Sequence, residues 1–245
     1  MALVQPEHIR NAGIADPTIR FAWDDWNVEQ AEEPIDDEFL ARLISISRRG
    51  NIAYTNATAE WLLARFEGLA DIVAPNQYLE SAWACVVDIR YCGLVWEDFT
   101  SSTDWTGPVR GPIGIAMTRV QYAIGALVEG GDPELRAAWL HNICRYVMPK
   151  PDPFLTWSEV VLTRMQALYP RSVEDPVGEV VPREALNLAP FAPENTEELI
   201  NRFLATLRPD QNRFLSPPQK LLDEGFIGQP YQFDIELERR TRTKR

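Results

Sequence analysis

The residue types that most often perform acid–base or nucleophilic chemistry are scarce in this chain. It has two histidines, His8 and His141, and three cysteines among 245 residues. We expect His8 to lie in a frayed terminus, and His141 stands inside a predicted helix, where a hydrogen-bonded structural role is the more common one. Cys144 follows one helical turn later, but its apolar neighbours favour a buried cysteine that acts as a small hydrophobe. No Ser-His-Asp pattern or GxSxG elbow appears.

Carboxylates are abundant, and one group of them is spaced as in a metal-dependent enzyme. The sequence DDWNVE, from Asp24 to Glu29, resembles the acidic magnesium-diphosphate motif of helical terpene synthases. That family has a second motif of Asn, Ser or Thr, and Glu on a later helix, which is not found here. Its acidic motif also follows a long apolar helix, whereas polar sequence precedes this one. An Mg²⁺-dependent helical enzyme acting on a diphosphate is kept as the alternative, and it requires Asp24, Asp25 and Glu29 to line an interior cavity.

The same acids have a second interpretation, as a surface that binds a protein. The stretch FAWDDWNVEQAEEPIDDEF holds eight carboxylates, two tryptophans and no Lys or Arg. Trp96 and Trp105 bracket a further polar stretch, EDFTSSTD, which reads as an exposed loop. Carboxylates around an indole platform suit Arg and Lys through ion pairing and cation–π contact. The predicted interface consists of Asp24, Asp25, Trp26, Glu29, Glu32, Glu33, Asp36, Asp37, Asp98, Asp104 and Trp105.

A plainer interpretation of the acidic stretch is also open. Acids before a first helix are commonly solvated and are favoured near its N-terminus by the helix dipole. The tryptophans would then fold onto the core.

Overall charge and composition narrow the classes of partner. The formal net charge is −12, and five basic residues of the chain are concentrated in the tail ERRTRTKR. The electrostatic field of the acidic body repels nucleic acid and anionic lipid and attracts basic proteins. A need for solubility would explain the same negative charge. The tail is interpreted as a solvated terminus, or else as a separate docking segment. No apolar run is long enough for a membrane span, and the first residues lack the basic and apolar regions of a secretion signal, so none is expected. Three cysteines without CxxC spacing favour reduced thiols and a cytoplasmic location. No cofactor or metal is predicted.

Helix signals dominate the elements that position these residues. A first helix is predicted from Asp36 or Asp37 to Gly50, and a second over about residues 55–72, ended by Pro75. A central helix is predicted from Asn76. GPIGIAMTRVQYAIGALVEGGD is assigned to a helix by its length. Further helix starts are predicted at Asp132-Pro133 and at two capping boxes, Thr156 with Glu159 and Asn195 with Glu198. The predicted division is residues 1–190, a helical domain with an acidic N-terminal segment, and residues 191–245, a C-terminal helical segment and basic tail of the same domain.

The fold class that follows is a single all-α domain with a Pro-rich connection, in which the C-terminal segment packs back onto the body. The last ~20 residues are expected to form a short strand or an extended tail.

In overall character the chain resembles the immunity proteins that bacteria make against toxins of secretion and contact-dependent systems. The resemblance covers its acidity and helical organisation and rests on no motif. It implies binding to a basic cognate toxin, often a nuclease, whose active site or substrate path is blocked. The sequence therefore predicts a non-catalytic binding protein, with the diphosphate enzyme and a scaffold or adaptor as alternatives.

Overall fold

A computed structural model describes residues 3–92, residue 99 and residues 103–242, and all of the regular elements in these ranges are helices. The all-α fold is thus confirmed. The α-helices are α1 (Glu7–Arg10), α2 (Glu29–Glu32), α3 (Asp37–Ile44), α4 (Arg48–Arg65), α5 (Val73–Val87), α6 (Gly107–Glu129), α7 (Pro133–Val147), α8 (Asp152–Leu168), α9 (Thr196–Leu204), α10 (Pro218–Asp223) and α11 (Ile235–Arg242). Short 3-10 turns lie at Ile89–Tyr91, Thr103–Trp105, Arg183–Leu186 and Pro193–Asn195.

Helix α4 is the centre of the fold. It packs against α5, α6 and α7, and its residues from Gly50 to Arg65 are buried. The helix predicted from Asn76 exists as α5, but it begins at Val73 and is not the central helix of the fold. The sequence did not identify α4 as central because its apolar residues are not confined to one side. A helix that is buried on every side has no polar face to mark it in the sequence.

The first predicted helix is in fact two helices. Asp36 caps α3 by accepting a hydrogen bond from Phe39 N at 2.8 Å, and α3 ends at Ile44. Ser47 then caps α4, accepting from Gly50 N at 3.2 Å. Gly50 therefore lies in the first turn of α4 and does not close a helix, contrary to the prediction. A Cβ at Gly50 would collide with the Ile46 side chain, so glycine here permits close packing.

The end of α4 and the start of α5 also differ from the predicted helix boundaries. Helix α4 ends at Arg65, before Gly68 with its φ of 78°, and not at residue 72. Pro75 does not end a helix but lies in the first turn of α5. Backbone N–H groups in a first turn have no partner within the helix, so proline, which lacks this group, is tolerated there.

Later helix starts are partly confirmed. Helix α6 is confirmed and is closed by Gly130 in the left-handed conformation, φ 75°. The start of α7 at Asp132-Pro133 is confirmed. The start of α9 after Asn195 is also confirmed, but the Asn195 side chain makes no capping hydrogen bond, so the capping box predicted with Glu198 was wrong. Helix α8 begins at Asp152, so Thr156 lies inside it and the capping box predicted there was wrong.

The C-terminal part packs onto the end of α5 through a second apolar cluster. That cluster combines Ala84, Val87 and Tyr91 with Ile200, Leu204, Leu207, Leu215, Leu221 and Phe233. The final segment forms α11, so the predicted strand or extended tail was wrong. Arg49 and Glu238, both largely buried, hold α11 to the body with an ion pair of 2.7 Å.

The cysteines fall into a close pair and a single residue. Cys85 and Cys92 lie side by side with a Cα–Cα distance of 5.8 Å, which is compatible with a disulfide. Cys144 is free and fully buried, and burial raises the pKa of its thiol.

Candidate functional site

Trp26 is the most exposed tryptophan among the described residues. Its side chain is 98% exposed, although indole rings ordinarily bury most of their surface. Asp24 fixes the backbone beneath it, because the Asp24 carboxylate accepts a hydrogen bond from Trp26 N at 2.9 Å. The Asp24 carbonyl also accepts from Asn27 N at 3.1 Å. The ring therefore projects into solvent from a closed turn.

Asp25 fastens this turn to the start of α6. One of its oxygens accepts from Trp23 Nε1 at 2.8 Å, and the other accepts from Gly107 N at 2.9 Å. The approach is close, since a Cβ added at Gly111 would collide with Trp23 Nε1 and lie 2.6 Å from an Asp25 oxygen. A small residue on α6 is thus needed for the acidic stretch to lie here.

Asp104 and Trp105 lie at the same end of α6. They belong to the 3-10 turn Thr103–Trp105, which directly precedes α6. Trp105 is half-buried against Gly114, where a Cβ would come within 2.9 Å of it, while Asp104 is exposed. The structure therefore brings together two parts of the predicted interface that lie about 80 residues apart. We call Asp24, Asp25, Trp26, Glu29 and Asp104 the Trp26 face.

Glu32 does not belong to this face. It is 4% exposed and pairs with Arg119, whose Nε donates to Glu32 Oε1 at 2.7 Å. Its backbone carbonyl accepts from Asn142 Nδ2 at 2.6 Å. Burial raises the pKa of Glu32 and Arg119 opposes that shift. Its assignment to a solvent-facing interface was wrong, because the periodic position of Glu32 on α2 turns it inward.

Glu33 is exposed but already has a partner. Trp139 Nε1 donates to its carboxylate at 3.0 Å. The Trp139 ring in turn carries the guanidinium groups of Arg119 and Arg136, each 4.8 Å from its centroid. The acids at this end of the stretch are therefore balanced by cations of the same chain.

Asp36 and Asp37 are exposed at the start of α3, and Asp36 is its N-cap. For these two residues the structure favours the helix-start interpretation. Asp98 and Trp96 lie outside the described residues.

The condition set by the diphosphate alternative is not met. Asp24, Asp25 and Glu29 are all exposed and do not line an interior cavity. Within the described ranges, no three His, Cys, Asp or Glu side chains converge as metal ligands would.

His141 occupies a buried polar network. Its Nδ1 is 2.8 Å from the Tyr54 hydroxyl, which is also 2.8 Å from Ser158 Oγ. Burial and the charge of Arg145 lower the pKa of His141 to about 3, so the ring is neutral at neutral pH. This agrees with a structural histidine.

His8 was expected in a frayed terminus, and that expectation was wrong. Its ring stacks on Trp157 with centroids 6.2 Å apart and lies 5.6 Å from the ring of Trp61. Sequence reasoning missed this site because a short α1 with one buried residue gives no periodic signal.

The basic tail is tied to acids of the same chain as far as it is described. Arg242 Nε lies 3.2 Å from Asp175, and its Nη2 lies 3.4 Å from Glu179. Arg239 is 3.8 Å from the same Glu179 oxygen. The tail is therefore not fully solvated as far as residue 242.

The chain matches no protein-family model, no curated protein and no solved structure. None of the helices in the described part of the chain combines the length and hydrophobicity of a membrane crossing.

Proposed function

We propose that this chain is a non-catalytic binding protein that neutralises a basic cognate protein, acting as an immunity protein does against a bacterial toxin. The observation that carries the proposal is the Trp26 side chain, 98% exposed on a turn between carboxylates. Neither Asp24 nor Glu29 forms an ion pair with a described residue, and both are exposed, so their charges remain available to a partner. Both oxygens of Asp25 already accept hydrogen bonds and hold the turn in place.

The chemistry of this face suits a Lys- or Arg-rich surface. A cation over an indole face contributes about 0.5–2 kcal/mol, and more as water is excluded. Tryptophan is also among the residues that dominate binding energy when they are buried at the centre of an interface. A net charge of −12 would raise the rate of encounter with a basic protein.

The contact is pre-organised, which favours binding over mere solvation. The Asp24 and Asp25 hydrogen bonds fix the turn before any partner arrives, so little conformational entropy is lost on binding. Solvation of acids alone would not require an indole ring to be held in water.

The proposal is tested by affinity capture with the purified chain at low and moderate salt. A toxin encoded beside its gene is the first partner to try, in the cytoplasmic setting that we propose for the complex. We expect Glu29→Lys and Trp26→Ala to weaken capture, and we expect the captured protein to lose its activity when the wild-type chain is added. A partner that binds but keeps full activity would instead favour the scaffold function.

A further inference from the structure

Cys85 and Cys92 are brought together by the break at the end of α5. A continuous helix would separate two Cα atoms at this spacing by about 10.5 Å, at a rise of about 1.5 Å per residue, which is too far for a disulfide. Helix α5 instead ends at Val87, and Asp88 is extended, with φ −149° and ψ 128°. The 3-10 turn Ile89–Tyr91 then folds back toward α5, so the Cα atoms of Cys85 and Cys92 are only 5.8 Å apart.

The surroundings of the pair accommodate free thiols as well as a bond. The Cys92 side chain is partly exposed, and its Sγ lies 3.4 Å from the Ser81 carbonyl oxygen, which can accept a hydrogen bond from the thiol. Cys85 is fully buried beside it. Cys92 is therefore the sulfur that a soluble reagent reaches, and Cys85 is placed to react with it afterwards.

Cys92 directly follows a residue that holds the C-terminal part of the chain. The Tyr91 carbonyl accepts a hydrogen bond from Ser216 N at 2.8 Å, and the Tyr91 hydroxyl accepts one from Tyr231 N at 3.2 Å. The ring of Tyr91 also packs against those of Phe226 and Tyr231, with centroids 5.3 and 4.8 Å away. The turn that precedes Cys92 is thus a platform on which the C-terminal part rests.

We propose that Cys85 and Cys92 form a reversible oxidation site, in which their disulfide fastens the C-terminal part to α5. The oxidant is a low-molecular-weight disulfide of the glutathione class. The Cys92 thiolate attacks one of its sulfurs, which forms a mixed disulfide and releases one glutathione thiolate. The Cys85 thiolate then attacks the Cys92 sulfur, which forms the intramolecular bond and releases the second thiolate. The two protons that the cysteines lose are taken up by the released thiolates, and the two electrons have reduced the oxidant.

The bond acts on the C-terminal part by limiting its local opening. A disulfide removes conformations in which its two ends separate, so the turn after α5 cannot leave the helix while the bond exists. Opening of the segments held by Tyr91 then becomes rarer. A pair that is reduced at rest and bonded under oxidation is typical of cytosolic proteins, in which disulfides are usually transient. None of the residues involved belongs to the Trp26 face, so the inference does not depend on the proposed function.

The number of free thiols in the full-length chain tests the chemistry. The protein is equilibrated in buffers that run from reduced to oxidised glutathione, then unfolded in the presence of an alkylating agent and weighed by mass spectrometry. We expect all three cysteines to be alkylated in reduced glutathione, only Cys144 in oxidised glutathione, and all three again after dithiothreitol is added to the folded protein. The site is refuted if three thiols remain in the oxidised buffer, if a glutathione adduct persists in place of the bond, or if dithiothreitol does not restore the thiols.

Matched variants and hydrogen exchange test the consequence. Cys144→Ser should keep the reversible loss of two thiols, whereas Cys92→Ser should abolish it. In the wild type we expect the Ser216 and Tyr231 amides to exchange at least about 10-fold more slowly when oxidised than when reduced, and the amides of α3, which packs on α7 and α8, to change much less. Equal exchange rates in the two states, or an equal slowing in α3, would show that the bond does not fasten the C-terminal part. This comparison uses the wild type alone, so it decides the question even if Cys92→Ser does not fold.

Discussion

Asp25 and Gly107 are 82 residues apart in the chain, yet the Asp25 carboxylate accepts the backbone N–H of Gly107 at 2.9 Å. The bond joins the N-terminal acidic stretch to the first residue of α6, where the helix leaves N–H groups without an internal partner. A carboxylate at this position also interacts favourably with the helix dipole. Through this contact, the turn that presents Trp26 is built onto one of the longest helices of the fold.

Removing the Asp25 carboxylate should therefore cost stability. We expect Asp25→Ala to lower the free energy of unfolding by about 1–2 kcal/mol, since Gly107 N and Trp23 Nε1 both lose an acceptor. Asp25→Asn keeps one oxygen and should cost less. Urea unfolding followed by circular dichroism measures both values. Equal and negligible effects of the two variants would mean that Asp25 does not anchor the turn.

The close approach at Gly111 gives a second prediction. Alanine usually stabilises a helix over glycine by about 1 kcal/mol, but a Cβ at Gly111 would collide with Trp23 and crowd Asp25. We expect Gly111→Ala to destabilise the protein by about 1–3 kcal/mol, as overpacking does. Gly131→Ala, whose Cβ would make only ordinary contacts near 3.8 Å, serves as the control and should stay within about 0.5 kcal/mol. A stabilising Gly111→Ala would contradict the packing described for Trp23 and Asp25.

Two glutamates of α2 should differ sharply. Glu32 is buried against Arg119, so Glu32→Ala leaves a largely buried guanidinium without its counter-charge and should cost about 3 kcal/mol. Glu29→Ala, three residues earlier and exposed, should change the free energy of unfolding by less than about 0.5 kcal/mol. Thermal unfolding of the two variants side by side is the measurement. Similar midpoints for both would show that the Glu32 pair does not contribute to the fold.

Acid should destabilise the protein through its buried histidine. The pKa of His141 is 6.5 in an ordinary setting and about 3 when folded, so between these values only the unfolded chain binds the proton. His141 thus contributes stability that is complete above pH 6.5 and is lost as the pH falls, at about 1.4 kcal/mol per pH unit. Urea unfolding at a series of pH values should show a shallower decline for His141→Phe than for the wild type. This variant starts from a lower value, because Tyr54 keeps only its Ser158 partner. An unchanged slope would mean that His141 is protonated in the fold.

The features of the fold that depend on the local pattern of residue types were predicted correctly from the sequence. The all-α fold, the helical nature of α6 and the start of α7 followed from apolar spacing and from Pro and Asp at helix starts. Predicted helix boundaries were wrong at residues that can play two different structural roles. Glycine ends helices in many proteins, but Gly50 lies in the first turn of α4 and permits close packing. Pro75 was predicted to end a helix, although the first turn of a helix also tolerates proline.

The acidic and aromatic composition of the candidate site could be predicted from the sequence, but not which of its residues are exposed and unpaired. An acidic stretch with tryptophan shows its composition in the sequence, and Trp26 did prove exposed. The sequence does not show which acids already have a partner, because Arg119 lies 87 residues from Glu32 and Trp139 lies 106 from Glu33.

The measurement that tests the proposed binding most directly is the affinity of the captured basic partner for four versions of the chain at two salt concentrations. We expect Trp26→Ala to raise Kd roughly 30-fold, as for a central interface tryptophan, without changing the free energy of unfolding. Glu29→Lys should slow association, most of all at low salt, whereas Asp210→Lys, outside the Trp26 face, should have a much smaller effect. If Trp26→Ala and Glu29→Lys bind as tightly and as fast as the wild type, the Trp26 face is not the interface.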